Sequence, residues 1–423
     1  MSEKWSLRCL KTDKQYSMDY QAPYSPDGGL LEVIPPASSK CGLDFSILDQ
    51  RLISREKLDN SGVWRFREWI LPLSEEEMVS RGEGNTNLYD SKYLSEVSDH
   101  DQLFFKHEGE NPTGSFKDRG MCTATSMAKK FGFQAVACAS TGNTSASMAS
   151  FARVAGLRPL VFLPAGKIAL GKISQALAYG ATILEIQGSF DDALVEVQKS
   201  CEDLGIYLMN SINPFRLEGQ KAIFFEILQQ LNWKVPDWIV LPGGNLGNIS
   251  AIGKAARELK NRGLISKLPR FCVVQAQGAN PFFEMMEKGF DQLKAMEPET
   301  FATAIRIGNP VSWQKAFQVL RESDGLVLEV SESEIVEAKF HVDRSGIGAE
   351  PASCVSFAGL NQLKEKKLLK ENELAVCILT GHLLKDPGAN QWVQEESRAV
   401  NRMLLSEDAH ERRIQIEKAL QES

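Results

Sequence analysis

The sequence lacks the features that mark membrane proteins and nucleic-acid-binding proteins. No stretch approaches the roughly 18 consecutive apolar residues of a membrane-spanning helix. Residues 1–16 are charged and lack the apolar region of a secretory signal. The net charge is −7, and no cluster of lysines and arginines supplies a basic face for nucleic acid. We therefore expect a cytoplasmic protein that contacts neither membranes nor nucleic acids.

The eight cysteines are too scattered to form a disulfide framework. They run from Cys9 to Cys377 and include no C-x-x-C pair, so we expect buried free thiols. The rest of the composition is an ordinary globular mixture, with 43% apolar and 24% charged residues among 423. A chain of this length is too long for one compact core, and about two to three domains are predicted.

Short apolar runs alternate with helical patterns from about residue 103 onward, after a turn-rich segment over residues 1–60 that includes a predicted loop at 22–29. Strands are predicted at 103–105, 135–139, 160–163, 183–186, 206–209, 238–241, 272–275 and 375–379. Helices are predicted at 116–130, 172–178 and 190–204, onward from residues 143 and 216, and in the tail 390–423. This alternation is typical of parallel sheets covered by helices, in which ligands lie beyond the carboxyl ends of strands.

The loop after the first strand of this series leads to a lysine at a helix start. Pro112 and Gly114 interrupt regular structure, and Lys117 then opens the predicted helix. The positive end of the helix dipole and burial both disfavour the ammonium form of this lysine. A neutral amine is what imine formation requires. The alternative is a surface lysine paired with Asp118, which the surrounding loop disfavours.

Three further strand ends carry groups that could bind a ligand. Residues 140–145 place hydroxyls and backbone N–H groups at a helix N-terminus, which suits a substrate carboxylate or is a plain N-cap. Residues 242–248 contain three glycines that let N–H groups converge on a single phosphate, although a tight turn also uses glycine. Thr380 follows the last strand, where its hydroxyl could meet a ring nitrogen or simply complete a turn.

Together these runs resemble the fold-type II pyridoxal 5'-phosphate (PLP) enzymes and, within them, the threonine synthases. The resemblance extends from residue 62 to about residue 387 and rests on the segments 62–68, 83–86, 111–120, 140–145, 210–221, 243–248 and 380–382. The lysine segment and residues 210–221 are specific, whereas the glycine loop is shared by the wider fold type. The resemblance implies an α/β fold with two three-layer αβα domains, mainly parallel sheets and an N-terminal extension.

The resemblance also implies a domain organisation and an assembly. We expect a ribbon-like extension over residues 1–60, a large PLP-binding domain over 61–125 plus 217–423, and a small α/β domain over 126–216. We expect a homodimer that acts on a small-molecule substrate.

Roles for individual residues follow from the resemblance. Lys117 would hold PLP as a Schiff base and shuttle protons, Asn143 would meet the ring hydroxyl of the cofactor, and Thr380 its pyridine nitrogen. The cofactor phosphate is assigned to the loop formed by Gly243, Gly244, Asn245, Leu246, Gly247 and Asn248. The substrate carboxylate is assigned to Ser140, Thr141 and Thr144, and the substrate phosphate to Asn210, Ser211 and Arg216. An arginine fork binds phosphate in bidentate fashion, although Arg216 could instead form a salt bridge at a helix end.

The implied enzyme is a PLP-dependent carbon–oxygen lyase of threonine biosynthesis. It would convert O-phospho-L-homoserine and water to L-threonine and phosphate. Phosphate would leave from the γ carbon, and water would add at the β carbon. Released phosphate, held by Arg216, could assist proton transfer.

The chain departs from the family pattern in two places. Asn87 stands where many relatives carry a proline. Some relatives carry a cysteine-rich ribbon at the N-terminus, of which only Cys9 and Cys41 could be a remnant, and Thr12 stands where a second cysteine would complete C-x-x-C. Because two thiols cannot close a tetrahedral zinc site, we predict no bound metal.

Two rival functions remain open from the sequence. An amino-acid dehydratase or a β-replacing enzyme such as cysteate synthase would share Lys117 and the glycine loop, but it has no use for a second phosphate site. A catalytically silent relative that binds metabolites and regulates a partner would tend to lose groups such as Asn143 and Thr380. Arg216 separates the first rival from a threonine synthase, and the intact site residues argue against the second.

Overall fold

The computed structural model describes residues 4–36, 45–166, 170–396 and 408–421. Within these residues the strands form three sheets of six, four and three strands. The two larger sheets are parallel or nearly so, as the alternating sequence pattern predicts.

The six-stranded sheet carries most of the candidate loops. Its strands are β4 (Leu88–Asp90), β5 (Leu103–His107), β10 (Trp238–Pro242), β11 (Arg270–Ala276), β12 (Leu326–Val330) and β13 (Ala375–Leu379). They lie in the order β12-β11-β10-β13-β5-β4, and only β4 runs antiparallel to its neighbour. Parallel neighbours need long crossover connections, and helices supply them.

The four-stranded sheet is parallel throughout. It consists of β6 (Ala135–Ala139), β7 (Arg158–Pro164), β8 (Thr182–Ile186) and β9 (Tyr207–Leu208), in the order β8-β7-β6-β9. Its strand β6 ends at the hydroxyl-rich run 140–145, so this sheet brings the candidate carboxylate site toward the larger sheet.

The N-terminal segment forms a small antiparallel sheet that periodicity did not reveal. Its strands β1 (Ser6–Cys9), β2 (Gln15–Ser17) and β3 (Leu31–Ile34) lie in the order β2-β1-β3. Strands this short carry too few side chains for a readable alternation. The predicted loop at 22–29 is confirmed as turns and bends apart from one isolated bridge at Tyr24.

The described helices cover the faces of the sheets. They are α1 (Phe45–Leu52), α2 (Arg67–Ile70), α3 (Lys92–Ser98), α4 (Lys117–Lys130), α5 (Asn143–Val154), α6 (Leu170–Ala178), α7 (Phe190–Leu204), α8 (Pro214–Gln220), α9 (Ala222–Gln230), α10 (Gly247–Asn261), α11 (Pro281–Glu287), α12 (Trp313–Glu322), α13 (Glu332–Arg344), α14 (Pro351–Glu365), α15 (Pro387–Glu396) and α16 (Ala409–Gln421). None of these helices is long and apolar enough to cross a membrane.

Strand β10 shows how the large sheet is buried on both faces. Trp238 and Val240 belong to one apolar cluster, and Ile239 and Leu241 belong to another on the opposite face. Each of the four side chains is fully buried. Burial on both faces explains why this strand reads as a continuous apolar run rather than as an alternation.

Most predicted elements are confirmed to within a few residues. The strand β12 was missed, because its sequence Leu326–Val330 was not distinguished from its surroundings. The tail prediction is confirmed for α15 and α16, and residues 397–407 lie outside the described residues. Two of the expected domain boundaries fall inside helices, between residues 125 and 126 in α4 and between 216 and 217 in α8.

The described cysteines are free and buried, as expected. They are Cys9, Cys122, Cys138, Cys201, Cys272, Cys354 and Cys377. Cys41 lies outside the described residues. Cys9 donates to or accepts from Ser25 at 3.2 Å between Sγ and Oγ.

Candidate active site

The sheet order brings three candidate loops to one edge. Strands β5, β13 and β10 are consecutive neighbours in the large sheet. Because all three are parallel, their carboxyl ends meet at the same edge. The loops that follow them carry Lys117, Thr380 and the glycine run 243–248, which sequence separates by more than a hundred residues.

The lysine loop and the threonine loop are joined by backbone hydrogen bonds. Phe116 N donates to the carbonyl of Thr380 at 3.0 Å, and His382 N donates to the carbonyl of Gly114 at 2.9 Å. These two bonds fix the start of α4 against the end of β13. Lys117 and Thr380 therefore hold a constant relative position.

Asp118 does not pair with Lys117, so the surface-pair alternative is wrong. Its carboxylate accepts from Thr113 N at 2.7 Å, from the Thr113 hydroxyl at 2.5 Å and from the Ser147 hydroxyl at 2.5 Å. Burial raises the pKa of Asp118 to about 6, against the lowering effect of these hydrogen bonds. The aspartate thus anchors the loop and leaves the lysine free.

The Lys117 amine has no hydrogen bond or ion pair to any residue that the structure describes. Its Nζ lies 4.2 Å from the centroid of the Phe116 ring. Burial is the main cause that lowers its pKa, to about 7, and the charge of Arg216 acts in the same direction. A lysine near neutrality has a large fraction of the neutral amine that imine chemistry needs.

Two glycines bring Arg216 next to Lys117. A β carbon at Gly120 of α4 would lie 2.8 Å from the Arg216 carbonyl oxygen, and one at Gly219 of α8 would overlap the Arg119 carbonyl. Only glycine permits the two helix backbones to approach this closely. The lysine motif and the arginine motif are therefore packed together by residues that each motif supplies.

Arg216 is a buried guanidinium without a carboxylate partner among the described residues. Its side chain is 2% exposed. Its Nη1 donates to the Met209 carbonyl at 3.0 Å, and its Nε has no hydrogen-bond partner among the described residues. Burial lowers the pKa of this guanidinium to about 10. The predicted alternative, a salt bridge at a helix end, does not form, and the group is free to pair with a bound anion.

At Gly247 the glycine loop leaves space that the protein itself does not fill. Neither Gly244 nor Gly247 has a positive φ, whereas the neighbouring Leu246 does, at 61°. A β carbon at Gly247 would meet Leu217 at 3.4 Å and Gln220 Oε1 at 4.0 Å, which are ordinary contacts. Strain and packing thus leave the glycine at 247 unexplained, and a bound group close to the backbone would explain it.

Asn248 supplies a second observation at the same loop. Its side chain is 6% exposed, yet neither its Nδ2 nor its Oδ1 has a hydrogen-bond partner. Buried polar atoms without partners are rare unless a ligand or water completes them. The cradle at 243–248, together with the neutralised amine of Lys117, fits a phosphate-bearing aldehyde such as PLP.

The hydroxyl run at the end of β6 also faces open space. No protein atom lies within 4 Å of the place that a β carbon on Gly142 would occupy. Ser140 Oγ accepts from Gly142 N at 3.3 Å, whereas Thr141 and Thr144 make no hydrogen bond through their hydroxyls to described residues. These two hydroxyls are available to a ligand.

Asn210 and Ser211 differ in how far they are already engaged. Asn210 Oδ1 accepts from Ala139 N at 3.1 Å, and its Nδ2 donates to the Ala139 carbonyl at 3.2 Å. Its amide therefore extends the pairing between β6 and the segment after β9. Ser211 is half-buried, and its hydroxyl has no partner among the described residues. One N–H of Asn210 remains for a ligand.

Two buried side chains at the site, those of Ser353 and Glu350, were not found from the sequence. Thr380 Oγ1 lies 3.0 Å from Ser353 Oγ, and Asn143 Nδ2 donates to the Glu350 carboxylate at 3.0 Å. Glu350 is the residue before Pro351, which opens α14. A carboxylate in front of a proline at a helix start was the available signal, but nothing local showed which loop it would face.

Comparisons with known proteins identify the family. Residues 79–381 match the model of the pyridoxal-phosphate dependent enzymes. The threonine synthase of Methanocaldococcus jannaschii is 46% identical over 92% of this chain and 95% of its own length. That of Methanosarcina acetivorans is 47% identical over 94% of this chain and 96% of its own.

A solved structure agrees with the fold. The threonine synthase from Escherichia coli superposes with a TM-score of 0.70 at 19% identity, over 96% of this chain and 94% of that one. At this identity the superposition shows the fold alone, and the sequence relatives carry the assignment. From the family model and the two archaeal relatives together, the chain belongs to the threonine synthases, a family of PLP-dependent enzymes.

Proposed function

We propose that the protein converts O-phospho-L-homoserine and water to L-threonine and phosphate, with PLP attached at Lys117. The observation that carries the proposal is the buried guanidinium of Arg216, which no described carboxylate neutralises. A buried charge without a partner costs several kcal/mol. A chain keeps such a group where an anionic ligand completes it.

The site offers two separate places for phosphate. The glycine loop 243–248 lies at the end of β10, and Arg216 lies on α8 beside Lys117. We assign the cofactor phosphate to the loop residues Gly243, Gly244, Asn245, Leu246, Gly247 and Asn248. The substrate phosphate is assigned to Arg216 and Ser211, with the remaining N–H of Asn210.

The remaining polar groups fit the other parts of the substrate and the cofactor. Thr141 and Thr144, with Ser140, lie at the open start of α5 and would bind the substrate carboxylate. Asn143 would meet the cofactor ring hydroxyl, and Thr380, held by Ser353, its ring nitrogen. When bound, PLP would supply the electron sink for carbanion chemistry.

Lys117 is the residue that would move protons. Its lowered pKa leaves the amine free to take a proton at neutral pH. In the proposed reaction Nζ would remove the proton from the substrate α carbon, release it, and then remove one from the β carbon. One proton would return to the γ carbon, which becomes the methyl group, and one to the α carbon, while the proton lost by the added water would go to the departing phosphate. Phosphate leaves from the γ carbon toward Arg216, and water adds at the β carbon.

The dehydratase and β-replacing alternatives are disfavoured by the same arginine. A dehydratase, or a β-replacing enzyme whose substrate carries no phosphate, would leave Arg216 buried and unpaired. A silent relative is disfavoured because Lys117, Asn143 and Thr380 are all present in the sequence. Lys117 and Thr380 follow neighbouring strands of the large sheet, and Asn143 follows β6 of the smaller one.

The test is phosphate release from O-phosphohomoserine by wild type and Arg216→Ala. A charge-assisted hydrogen bond contributes about 1.5–3 kcal/mol, so the variant should lose roughly tenfold to a hundredfold in kcat/KM. Arg216→Lys should recover part of the loss, because a point charge cannot reproduce the fork. PLP content should stay near that of wild type.

Arg153→Ala is the matched control. Arg153 also donates to backbone carbonyls, those of Tyr179 and Gly180, but lies at the far end of α5 from Asn143. Its loss should leave kcat/KM unchanged. A contrary result is that Arg216→Ala loses PLP and keeps its kinetics per bound cofactor. That result would reverse the assignment of the two phosphate sites and would favour the dehydratase alternative.

Three coarser expectations are also part of the proposal. Buried free cysteines support a reducing compartment such as the cytoplasm. The homodimer rests on the family resemblance, and light scattering of the purified protein measures it. A division into a large and a small α/β domain is supported by the two separate sheets. The boundaries 125/126 and 216/217 fall inside α4 and α8, and limited proteolysis would locate where the domains divide.

A further inference from the structure

Glu350 is a buried carboxyl group at the heart of the site. Its side chain is 4% exposed, and it immediately precedes α14. Asn143 Nδ2 donates to its two oxygens, at 3.0 Å to Oε2 and 3.3 Å to Oε1. The Glu350 carboxylate therefore holds the Asn143 amide, which is assigned to the cofactor ring, by hydrogen bonding.

The backbone around Glu350 is shaped to admit the carboxyl group. Glu350 N donates to the Gly381 carbonyl at 3.0 Å. A β carbon at Gly381 would overlap the Glu350 carboxyl group. The φ of Gly381 is not positive, so the need for glycine after Thr380 comes from this side chain rather than from backbone strain.

Charged groups from two elements and one amide face Glu350. They are Lys117 at the start of α4 and Lys385 and Asp386 in the segment after β13, and Asn143 faces it from α5. Lys385 Nζ is engaged elsewhere, donating to the Thr113 carbonyl at 3.1 Å and to Gln175 Oε1 at 2.6 Å. Among the described residues no cation pairs directly with Glu350, and its side-chain hydrogen-bond partner is an amide. Burial raises the pKa of Glu350, and the hydrogen bond from Asn143 and the charges of Lys385 and Lys117 oppose that rise.

We propose that Glu350 is a positioning residue, which orients the Asn143 amide toward the cofactor ring and places a negative charge beside the Lys117 nitrogen. The inference rests on the proposed function for the role of Asn143. An asparagine amide has two N–H groups in one plane. Hydrogen bonding to Glu350 restricts the rotamer of Asn143. The second N–H of the amide is thereby held toward the cofactor ring.

The charge and the hydrogen bond can be separated by substitution. Glu350→Gln keeps the shape and an oxygen acceptor but removes the negative charge. Glu350→Ala removes both. Gly381→Ala leaves the glutamate in the chain but pushes its carboxyl group away from Asn143.

The matched control is Glu329→Ala. Glu329, at the end of β12, also accepts a hydrogen bond from an asparagine amide, that of Asn280, two strands away from β10. It tests whether loss of any asparagine–glutamate pair disturbs the enzyme. Its visible spectrum, cofactor affinity and kinetics should all equal those of wild type.

The experiment measures the pH titration of the visible absorption band of bound PLP, the PLP dissociation constant by equilibrium dialysis, and kcat with KM. In Glu350→Gln the titration midpoint should fall by about one pH unit. The negative charge that favours the protonated form of the Lys117 nitrogen is then absent. In Glu350→Ala and Gly381→Ala, kcat should fall by about tenfold to a hundredfold, with a smaller change in KM.

A Glu350→Gln holoenzyme that folds as wild type and keeps the wild-type midpoint and the wild-type kcat overturns the proposal. A loss of kcat in Glu350→Ala that is matched by Glu329→Ala would also overturn it, because the effect would then be structural. The titration and the dialysis use no O-phosphohomoserine. A wild-type protein that fails to release phosphate would refute the proposed function while leaving the shift of the midpoint in Glu350→Gln measurable.

Discussion

Two basic residues at the start of helix α4 lie in contrasting surroundings. Arg119 lies in a cluster of ion pairs, whereas Lys117 has no ion pair to a described residue. Around Arg119, the side chains of Glu108, Glu226, Lys106 and Arg65 form ion pairs of 2.5 to 3.2 Å. Two residues earlier in the same helix, Lys117 has no such partner. The paired cluster fixes the frame, and the unpaired residues are left for chemistry.

The pKa shifts of Arg119 and Glu226 show the effect of ion pairing. The carboxylates of Glu108 and Glu226 raise the pKa of Arg119 despite its burial, and Arg119 in turn lowers the pKa of Glu226. Burial lowers the pKa of Arg216 to about 10. Burial, together with the charge of Arg216, lowers the pKa of Lys117 to about 7 against the raising effect of Glu350. Burial also lowers the pKa of Lys106 and Arg65 within the paired cluster. What distinguishes Lys117 and Arg216 is therefore the lack of an ion pair among the described residues, rather than desolvation as such.

Lys117→Ala should have the largest effect on this contrast. Because no other described amine lies in the motif without a partner, threonine formation and the visible band of bound PLP should both be abolished. Phosphate release and absorbance measure the two losses. Lys129→Ala, on the same helix but donating to the Glu76 carbonyl, should retain both. A Lys117→Ala protein with wild-type turnover would remove the basis of the proposed function.

Stability should respond oppositely in the two regions. Glu226→Gln leaves Arg119, Lys106 and Arg65 as excess buried cations, and breaking a buried pair costs roughly 3–5 kcal/mol. Arg216→Met removes a buried cation that has no carboxylate partner, so the melting temperature without ligands should stay the same or rise. Differential scanning calorimetry of the two variants decides this. Equal destabilisation would mean that Arg216 has a structural role like that of Arg119.

The glycine loop should separate ligand binding from stability. In Gly247→Ala the added methyl group makes ordinary contacts, with Leu217 at 3.4 Å and Gln220 Oε1 at 4.0 Å, so the melting temperature of the apoprotein should change little. Its PLP affinity should fall by about tenfold or more, because the methyl group stands where the phosphate approaches the backbone. Gly253→Ala, whose methyl group would overlap Val319, should lower stability instead. An unchanged PLP dissociation constant in Gly247→Ala would indicate an ordinary turn.

The smallest predicted effect is on the pH dependence of PLP uptake by the apoprotein. The neutral amine of Lys117 reacts, so the rate should rise with pH through a midpoint near its pKa of about 7. Arg216→Met should move that midpoint upward, because a neighbouring cation that disfavours the ammonium form is lost. Stopped-flow absorbance gives the rates. A midpoint that moves downward would show that Arg216 does not act on Lys117.

Local patterns were sufficient where the chain itself carries the signal. The strand at Ala375–Leu379 and the helix at Phe190–Leu204 were predicted with their observed bounds, since apolar periodicity and capping decide them. The three-stranded N-terminal sheet was not predicted, because strands of three and four residues have no measurable period. The interpretation of Lys117 as a free amine held because the loop before it gave Asp118 other partners.

The sequence by itself determined which residue types follow each strand and hence the family, the cofactor and the candidate lysine and arginine. Only the tertiary structure decided which residues lie next to one another in the site. The close packing of Gly120 and Gly219 brings Arg216 to Lys117, and strand order brings Thr380 beside the lysine loop. The grip of Glu350 on Asn143 joins residues 207 positions apart. Such contacts depend on the sum of packing over the whole chain, which no local pattern of residues records.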